Sequence, residues 1–155
     1  MESGLPESWL SLRVEDAVAN ISTNGKKTPQ KKYLESGRFP IVDQGQALIG
    51  GYTDDLNKIV KCEPPAIVFG DHTKVVKLVK KPFAPGADGV KVLKPYGFFD
   101  ISLFAFFLRY LATVIVDKGY ARHYQHLAKT EIPLPPLNEQ QRIVEKIETL
   151  FSEID

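Results

Sequence analysis

Several things are scarce in this sequence. Cysteine occurs once, as Cys62, among 155 residues. That excludes an internal disulfide framework and a cysteine-clustered zinc site, and it fits a reducing compartment. Charge of one sign is not in excess, since 20 Lys+Arg stand against 19 Asp+Glu, a formal +1. Long hydrophobic runs are missing too. The most apolar stretch, Ile101 to Val116, covers 16 residues and includes Arg109. A bilayer span needs about 20 apolar residues, so this stretch is expected to be a buried helix. Met1-Glu2-Ser3-Gly4 carries an acid and lacks the basic flank and apolar core of a secretory signal. The expectation is a cytoplasmic protein with no membrane partner.

Catalytic signatures are equally scarce. An adenine methyltransferase needs a Gly-rich cofactor loop and an Asn/Asp-Pro-Pro-aromatic motif whose ring stacks on the flipped base. Glu63-Pro64-Pro65-Ala66 has the wrong acid and no ring, and reads as a turn. The nuclease triplet of an acid, any residue and Lys does not occur. Gly45 to Gly51 has phosphate-loop glycine spacing, but Gly51 stands where the Lys belongs. His123 and His126 could hold a metal only with further ligands, so no metal site is assigned. Cys62 reads as a small buried hydrophobe.

What is present divides into a sheet-rich body, a buried helix and a terminal amphipathic helix. Leu12, Val14, Ala17, Val18 and Ile21 recur near helical spacing and predict a short helix. A loop follows from Ser22 to Lys32, marked by Asn24-Gly25 and Pro29. Short β-branched runs predict strands at Phe39–Val42, Ala47–Ile49, Ile59–Cys62, Ala66–Phe69, Val75–Val79 and Val90–Leu93. Asp100 can cap the Ile101 helix, apolar nearly all round, and Gly119 stands where it would stop. Lys129 to Leu137, with Ile132-Pro-Leu-Pro-Pro-Leu137, predicts an extended connector.

Asn138 and Gln141 predict a capping box at the start of the last helix, and Glu139 suits its dipole. Ile143, Val144, Ile147, Leu150, Phe151 and Ile154 then form one apolar stripe, still running at Asp155. The helix either docks on its own domain or seeks a partner in a coiled coil or bundle. The second reading is preferred.

Charge is unevenly placed. Residues 131–155 carry six acids against Arg142 and Lys146, a balance of −4, which leaves +5 on residues 1–130. Lys26, Lys27, Lys31 and Lys32 fall within seven residues. Lys74, Lys77, Lys80, Lys81, Lys91 and Lys94 cluster around predicted strands. Exposed lysines can protect sheet edges, or they can neutralise phosphates. Gly119-Tyr-Ala-Arg-His-Tyr-Gln-His126 adds rings, a guanidinium and an amide in one predicted loop. Arg and Gln can bond guanine and adenine edges bidentately. Asp43-Gln44-Gly45-Gln46 and Asp71-His72-Thr73-Lys74 are polar loops of the same kind. Three such loops on a basic body favour a DNA-reading face. The candidates are Lys26, Lys27, Lys74 and Lys77 for phosphates, and Gln44, Gln46, His72, Thr73, Arg122, Tyr124 and Gln125 for bases.

The run Ile132-Pro-Leu-Pro-Pro-Leu-Asn-Glu-Gln-Gln-Arg-Ile-Val-Glu-Lys-Ile-Glu-Thr-Leu-Phe-Ser-Glu-Ile-Asp155 closely resembles the junction in specificity subunits of type I restriction–modification enzymes. There a target-recognition domain passes into a helical spacer. Leu5-Pro-Glu-Ser-Trp9, Phe39-Pro-Ile-Val-Asp-Gln-Gly-Gln-Ala-Leu-Ile-Gly-Gly-Tyr52 and Ile67-Val-Phe-Gly-Asp-His-Thr73 resemble further family elements in order. The resemblance implies an α+β recognition domain over residues 1–137, built on a twisted irregular sheet with flanking helices. A long spacer helix would begin over residues 138–155.

Family subunits usually carry two recognition domains and two spacer helices. This chain is therefore expected to be a first recognition domain or a half-size subunit. By resemblance it is non-catalytic and reads one half of a bipartite duplex target. Its expected partners are double-stranded DNA, methyltransferase subunits, a restriction motor subunit, and a second recognition domain or half-subunit met through the spacers. It would need no cofactor of its own, since S-adenosylmethionine, ATP and magnesium would sit on partner subunits. Two other readings stay open. One is a protein-interaction module working through the last helix. The other is the recognition part of a single-chain restriction–methylation enzyme.

Overall fold

A computed structural model describes residues 4–115 and 122–154. Its strands are β1 (Leu10–Arg13), β2 (Val18–Ile21), β3 (Phe39–Val42), β4 (Gly51–Thr53), β5 (Ala66–Gly70), β6 (Val76–Val79), β7 (Ala84–Pro85), β8 (Val90–Pro95) and β9 (Glu131–Leu134). The helices are α1 (Val14–Ala17), α2 (Ile101–Val114), α3 (Tyr124–Ala128) and α4 (Leu137–Ser152). The strands form a four-stranded antiparallel sheet β2-β8-β5-β6, a three-stranded sheet β4-β3-β7 and the antiparallel pair β1-β9. This is the expected α+β architecture.

Strand β5 explains how the body holds together. Side chains alternate across a strand, and here both faces of β5 are buried. Ile67 and Phe69 join a core with Val14, Leu93, Leu103, Phe104, Leu108 and Leu127. Ala66 and Val68 join a second with Val42, Val79, Phe83 and Val92. Helix α2 closes the first core. Asp100 caps it as expected, its carboxylate accepting the Leu103 N–H at 3.0 Å. The helix is not apolar-buried all round, however: Tyr110 and Val114 lie open to solvent. Gly119 falls outside the described residues.

Three local expectations give way in the fold. Leu12 to Ile21 is not one helix; a single turn, α1, separates two strands. Val18 to Ile21 pairs with β8 and Leu10 to Arg13 with β9, and the first ladder suits the β-branched Val18 and Ile21 better than a helix does. The connector at Ile132 is extended as expected, and its Glu131–Leu134 part pairs with β1. Ala47–Ile49 is an exposed loop rather than a strand, followed by β4. Ile59–Cys62 forms no strand; Val60 N–H donates to the Phe83 carbonyl at 3.1 Å without a ladder forming.

The start of α4 also differs from expectation. Pro136 occupies the cap position with no side-chain bond, and Asn138 lies inside the helix, so no capping box forms. The neighbouring Gln140 instead turns inward and is 1% exposed. Its Oε1 accepts the Asp100 N–H at 2.6 Å, and its Nε2 donates to the Phe98 and Pro135 carbonyls. Trp9 Nε1 donates to Glu139 at 2.6 Å. Among the described residues, no helix is long and apolar enough to cross a membrane.

Candidate nucleic-acid interface

The loops leaving β3 and β5 meet at one end of the sheets, and Gln44 is the link. Its side-chain oxygen accepts the His72 N–H at 2.8 Å, and its Nε2 donates to the Asp88 carbonyl at 2.8 Å. Thr73 returns a bond from its hydroxyl to the Gln44 carbonyl at 2.9 Å. The fit depends on bare backbone. Gly89 has φ +85°, and a Cβ there would collide with the Gln44 amide.

Asp71 extends the assembly to the third loop. It is buried, and its N–H donates to the Gly89 carbonyl. Its own carbonyl accepts the His123 N–H at 2.9 Å, and its carboxylate accepts the Tyr124 N–H at 2.8 Å. The segments around residues 43–46, 71–75, 86–89 and 122–125 therefore form one cross-linked surface. Polar side chains in adjacent loops normally face water and move independently; these are tied by long-range bonds, which is what a fixed recognition surface requires.

The residues expected to read bases separate into two groups. Gln46, Thr73, Arg122 and Gln125 are exposed on this surface, and His72 is half-buried. Gln44 is instead consumed by loop bracing. Tyr124 is 9% exposed and packs on Phe69, with its hydroxyl accepting from Asn20 at 3.2 Å. Burial pushes its pKa up. It is a core residue opening α3, not a loop side chain. Gly119, Tyr120 and Ala121 of that predicted loop lie outside the described residues.

The lysines separate as well. Lys77 is 6% exposed, and its ammonium donates to the Asp43 and Ala47 carbonyls at 2.7 and 2.6 Å. Burial lowers its pKa while the nearby Asp43 carboxylate opposes the shift. Its expected phosphate contact is thus corrected to an internal one: Lys77 holds the loop after β3 from within. Lys26 donates to the Asn57 carbonyl at 2.6 Å. Lys27 pairs with Asp88 at 3.0 Å, an exposed pair of small energetic weight that leaves its charge beside the Gln44 brace. Lys74 turns the chain with φ +65°.

Three contributors escaped sequence reasoning. Asp71 was legible only as part of a polar loop; its burial and its bond to the Tyr124 N–H reveal it as a brace. Tyr33 donates to Asp43 Oδ2 at 2.9 Å beneath the same loop. Burial, then the bond to Asp43, raises its pKa to about 12. Arg109 reaches the surface beside Gln46 and Thr73. Cys62 is half-buried, and burial pushes its thiol pKa up. Among the described residues no group of three His, Cys, Asp or Glu side chains converges as a metal cage would require.

The apolar stripe of α4 divides along its length. Val144 is buried against the domain, and Ile143 and Ile147 pack on the same core. Leu150, Phe151 and Ile154 remain 49%, 59% and 70% exposed, with Phe151 touching Phe106 at a ring separation of 5.9 Å. The first half of the helix docks on its own domain, and its second half is uncovered. Val144 is thereby corrected from partner packing to internal packing.

The model of the type I restriction modification DNA specificity domain matches residues 6–155. The chain belongs to this family. The fold of this specificity domain agrees. The HsdS subunit from Thermoanaerobacter tengcongensis superposes with a TM-score of 0.73 at 21% identity, covering 98% of this chain and 40% of that one. A type I restriction–modification structure concerned with complex assembly and conformational transition gives 0.75 at 21%, covering 97% and 40%. The type I S subunit from M. genitalium gives 0.69 at 18%, covering 95% and 40%. The specificity domain thus spans about 40% of the length of these solved subunits. No curated protein matches the sequence. DNA recognition is accordingly the function of the domain.

Proposed function

We propose that this specificity domain reads one half of a bipartite duplex target with the surface formed by the loops after β3 and β5 and by the start of α3. The observation that carries the reading is the brace from Gln44 to His72, Thr73 and Asp88, extended by Asp71 to Tyr124. It joins loops far apart in sequence into one surface that presents Gln46, Thr73, Arg122 and Gln125. Gln46 and Gln125 supply the amide pairing suited to adenine, and Arg122 the fork suited to guanine. Lys26, Lys27 and Lys74 neutralise phosphates.

The chemistry belongs to other subunits in this reading. Methyltransferase subunits would bind S-adenosylmethionine and modify adenine, and a motor subunit would use ATP and magnesium for cleavage. Residues 1–137 form the recognition domain, and residues 138–155 begin a spacer. The uncovered Leu150, Phe151 and Ile154 would meet a helix of a second recognition unit there. The cytoplasm is the compartment where such a complex meets its DNA.

The test is to express the full-length subunit with its methyltransferase and map the methylated adenines. A bipartite site with a fixed gap is expected. Methylation without such a site, or none dependent on this subunit, contradicts the reading.

A further inference from the structure

Helix α2 carries a single ionic side chain, Arg109, in an otherwise apolar or hydroxylic run from Ile101 to Val114. Its guanidinium lies over the Phe106 ring, 5.6 Å from the centroid. Among the described residues it makes no ion pair. It forms one wall of an open notch of about 280 Å³, with Ala112 and Thr113 on the same side. The opposite wall is the turn after β5, Thr73 to Val76, together with Gln46 from the loop after β3. Among the described lining residues the ionic groups are two cations, Arg109 and Lys74, and the polar ones are an amide and two hydroxyls.

We propose that this notch seats a backbone phosphate of the DNA duplex and that Arg109 is its principal ligand. Desolvation lowers the Arg109 pKa. An anion seated there would meet the two cations, Arg109 and Lys74, together with the Thr73 and Thr113 hydroxyls and the Gln46 amide. The notch lies below the about 300 Å³ at which small-molecule pockets begin, and it is open rather than enclosing. That shape suits one protruding phosphodiester and not an engulfed base or cofactor. Position gives the site its use. Gln46 and Thr73 belong to both the notch and the reading surface, so a phosphate held here fixes where those side chains fall along the groove. The inference rests on the DNA reading and adds a contact that the sequence placed inside a buried helix.

The experiment compares duplex binding by full-length subunit carrying Arg109→Gln, Arg109→Lys or Thr113→Glu across a salt series, on cognate and random duplexes. Arg109→Gln is expected to weaken both by the same factor, about five- to tenfold near 0.1 M salt, and to lower the log–log salt slope by about 1. Arg109→Lys should keep the slope. Thr113→Glu, at an exposed position, should reproduce the loss with Arg109 in place; thermal melting of each variant separates binding loss from unfolding. Unchanged affinity and slope in the folded Arg109→Gln and Thr113→Glu variants would overturn the notch. A loss confined to the cognate duplex would also overturn it, assigning Arg109 to a base. If the unmodified subunit itself shows no salt-sensitive duplex binding, the DNA reading fails rather than the notch alone.

Discussion

The side-chain oxygen of Gln44 and the backbone nitrogen of His72 lie 2.8 Å apart, bridging two loops separated by 28 positions in sequence. The bond decides what Gln44 does. An amide committed to the neighbouring loop cannot also read a base edge, yet it sets the separation of the residues that can. Gln44→Ala should therefore loosen the surface without unfolding the sheets behind it. Hydrogen exchange at the His72 amide should accelerate in Gln44→Ala. It should be intermediate in Gln44→Glu, which keeps the acceptor for His72 but loses the donor to Asp88. Equal exchange in all three proteins would count against the brace.

Gln140 performs a similar service between α4 and the N-terminus of α2. Removing it leaves the Asp100 N–H and two carbonyls without their partner. Gln140→Ala should cost about 1–3 kcal/mol of stability. Asn138→Ala, which a capping box would penalise by about 1 kcal/mol, should stay within about 0.5 kcal/mol, as an exposed substitution does. Denaturant melts of the two variants check the ordering; a larger loss at Asn138 would restore the capping box.

Lys77 gives a contrast between a lysine beneath the surface and one upon it. Lys77→Met strips the Asp43 and Ala47 carbonyls of their shared donor, so the protein should lose about 1–3 kcal/mol of stability. Its salt dependence of duplex binding should keep the unmodified slope. A slope lowered by about 1 would return Lys77 to the phosphate contacts.

Tyr33 makes a prediction in alkali. Its folded pKa, about 12, lies above the ordinary tyrosine value of 10.0 because burial and Asp43 disfavour the phenolate. A group raised on folding contributes stability that is complete below the unfolded value and is lost as pH rises through the folded one. The unmodified chain should therefore lose stability between about pH 10 and pH 12 relative to Tyr33→Phe. Parallel stability curves for the two proteins across that window would show that the phenol is not held this way.

Much of this was legible in the amino-acid order. The β-branched runs of β3, β5 and β8, the Asp100 cap and the stripe of α4 each follow from short-range chemistry, and the structure keeps them. The misreadings share a cause. Leu12 to Ile21 has helical spacing, but its residues complete ladders with β8 and β9, whose partners lie far along the chain. The candidate site was legible as three polar loops, and not as a division of labour within them. Gln44, Tyr124 and Lys77 carry the right functional groups for DNA. Their direction is fixed by neighbours 28 to 104 positions distant, which no local pattern encodes. Arg109 was hidden the opposite way, as a charge in an apolar run that the fold turns toward the surface.

Arg122 tests the central claim most directly, because it is exposed on the braced surface and its proposed contact is with a base. Affinities of the full-length subunit and of Arg122→Ala should be measured on the cognate duplex, on variants of each target position, and on random DNA. The account predicts a loss of about 1–3 kcal/mol on cognate DNA alone, with discrimination relaxed at one position. An equal loss on cognate and random duplexes, or none on either, would contradict it.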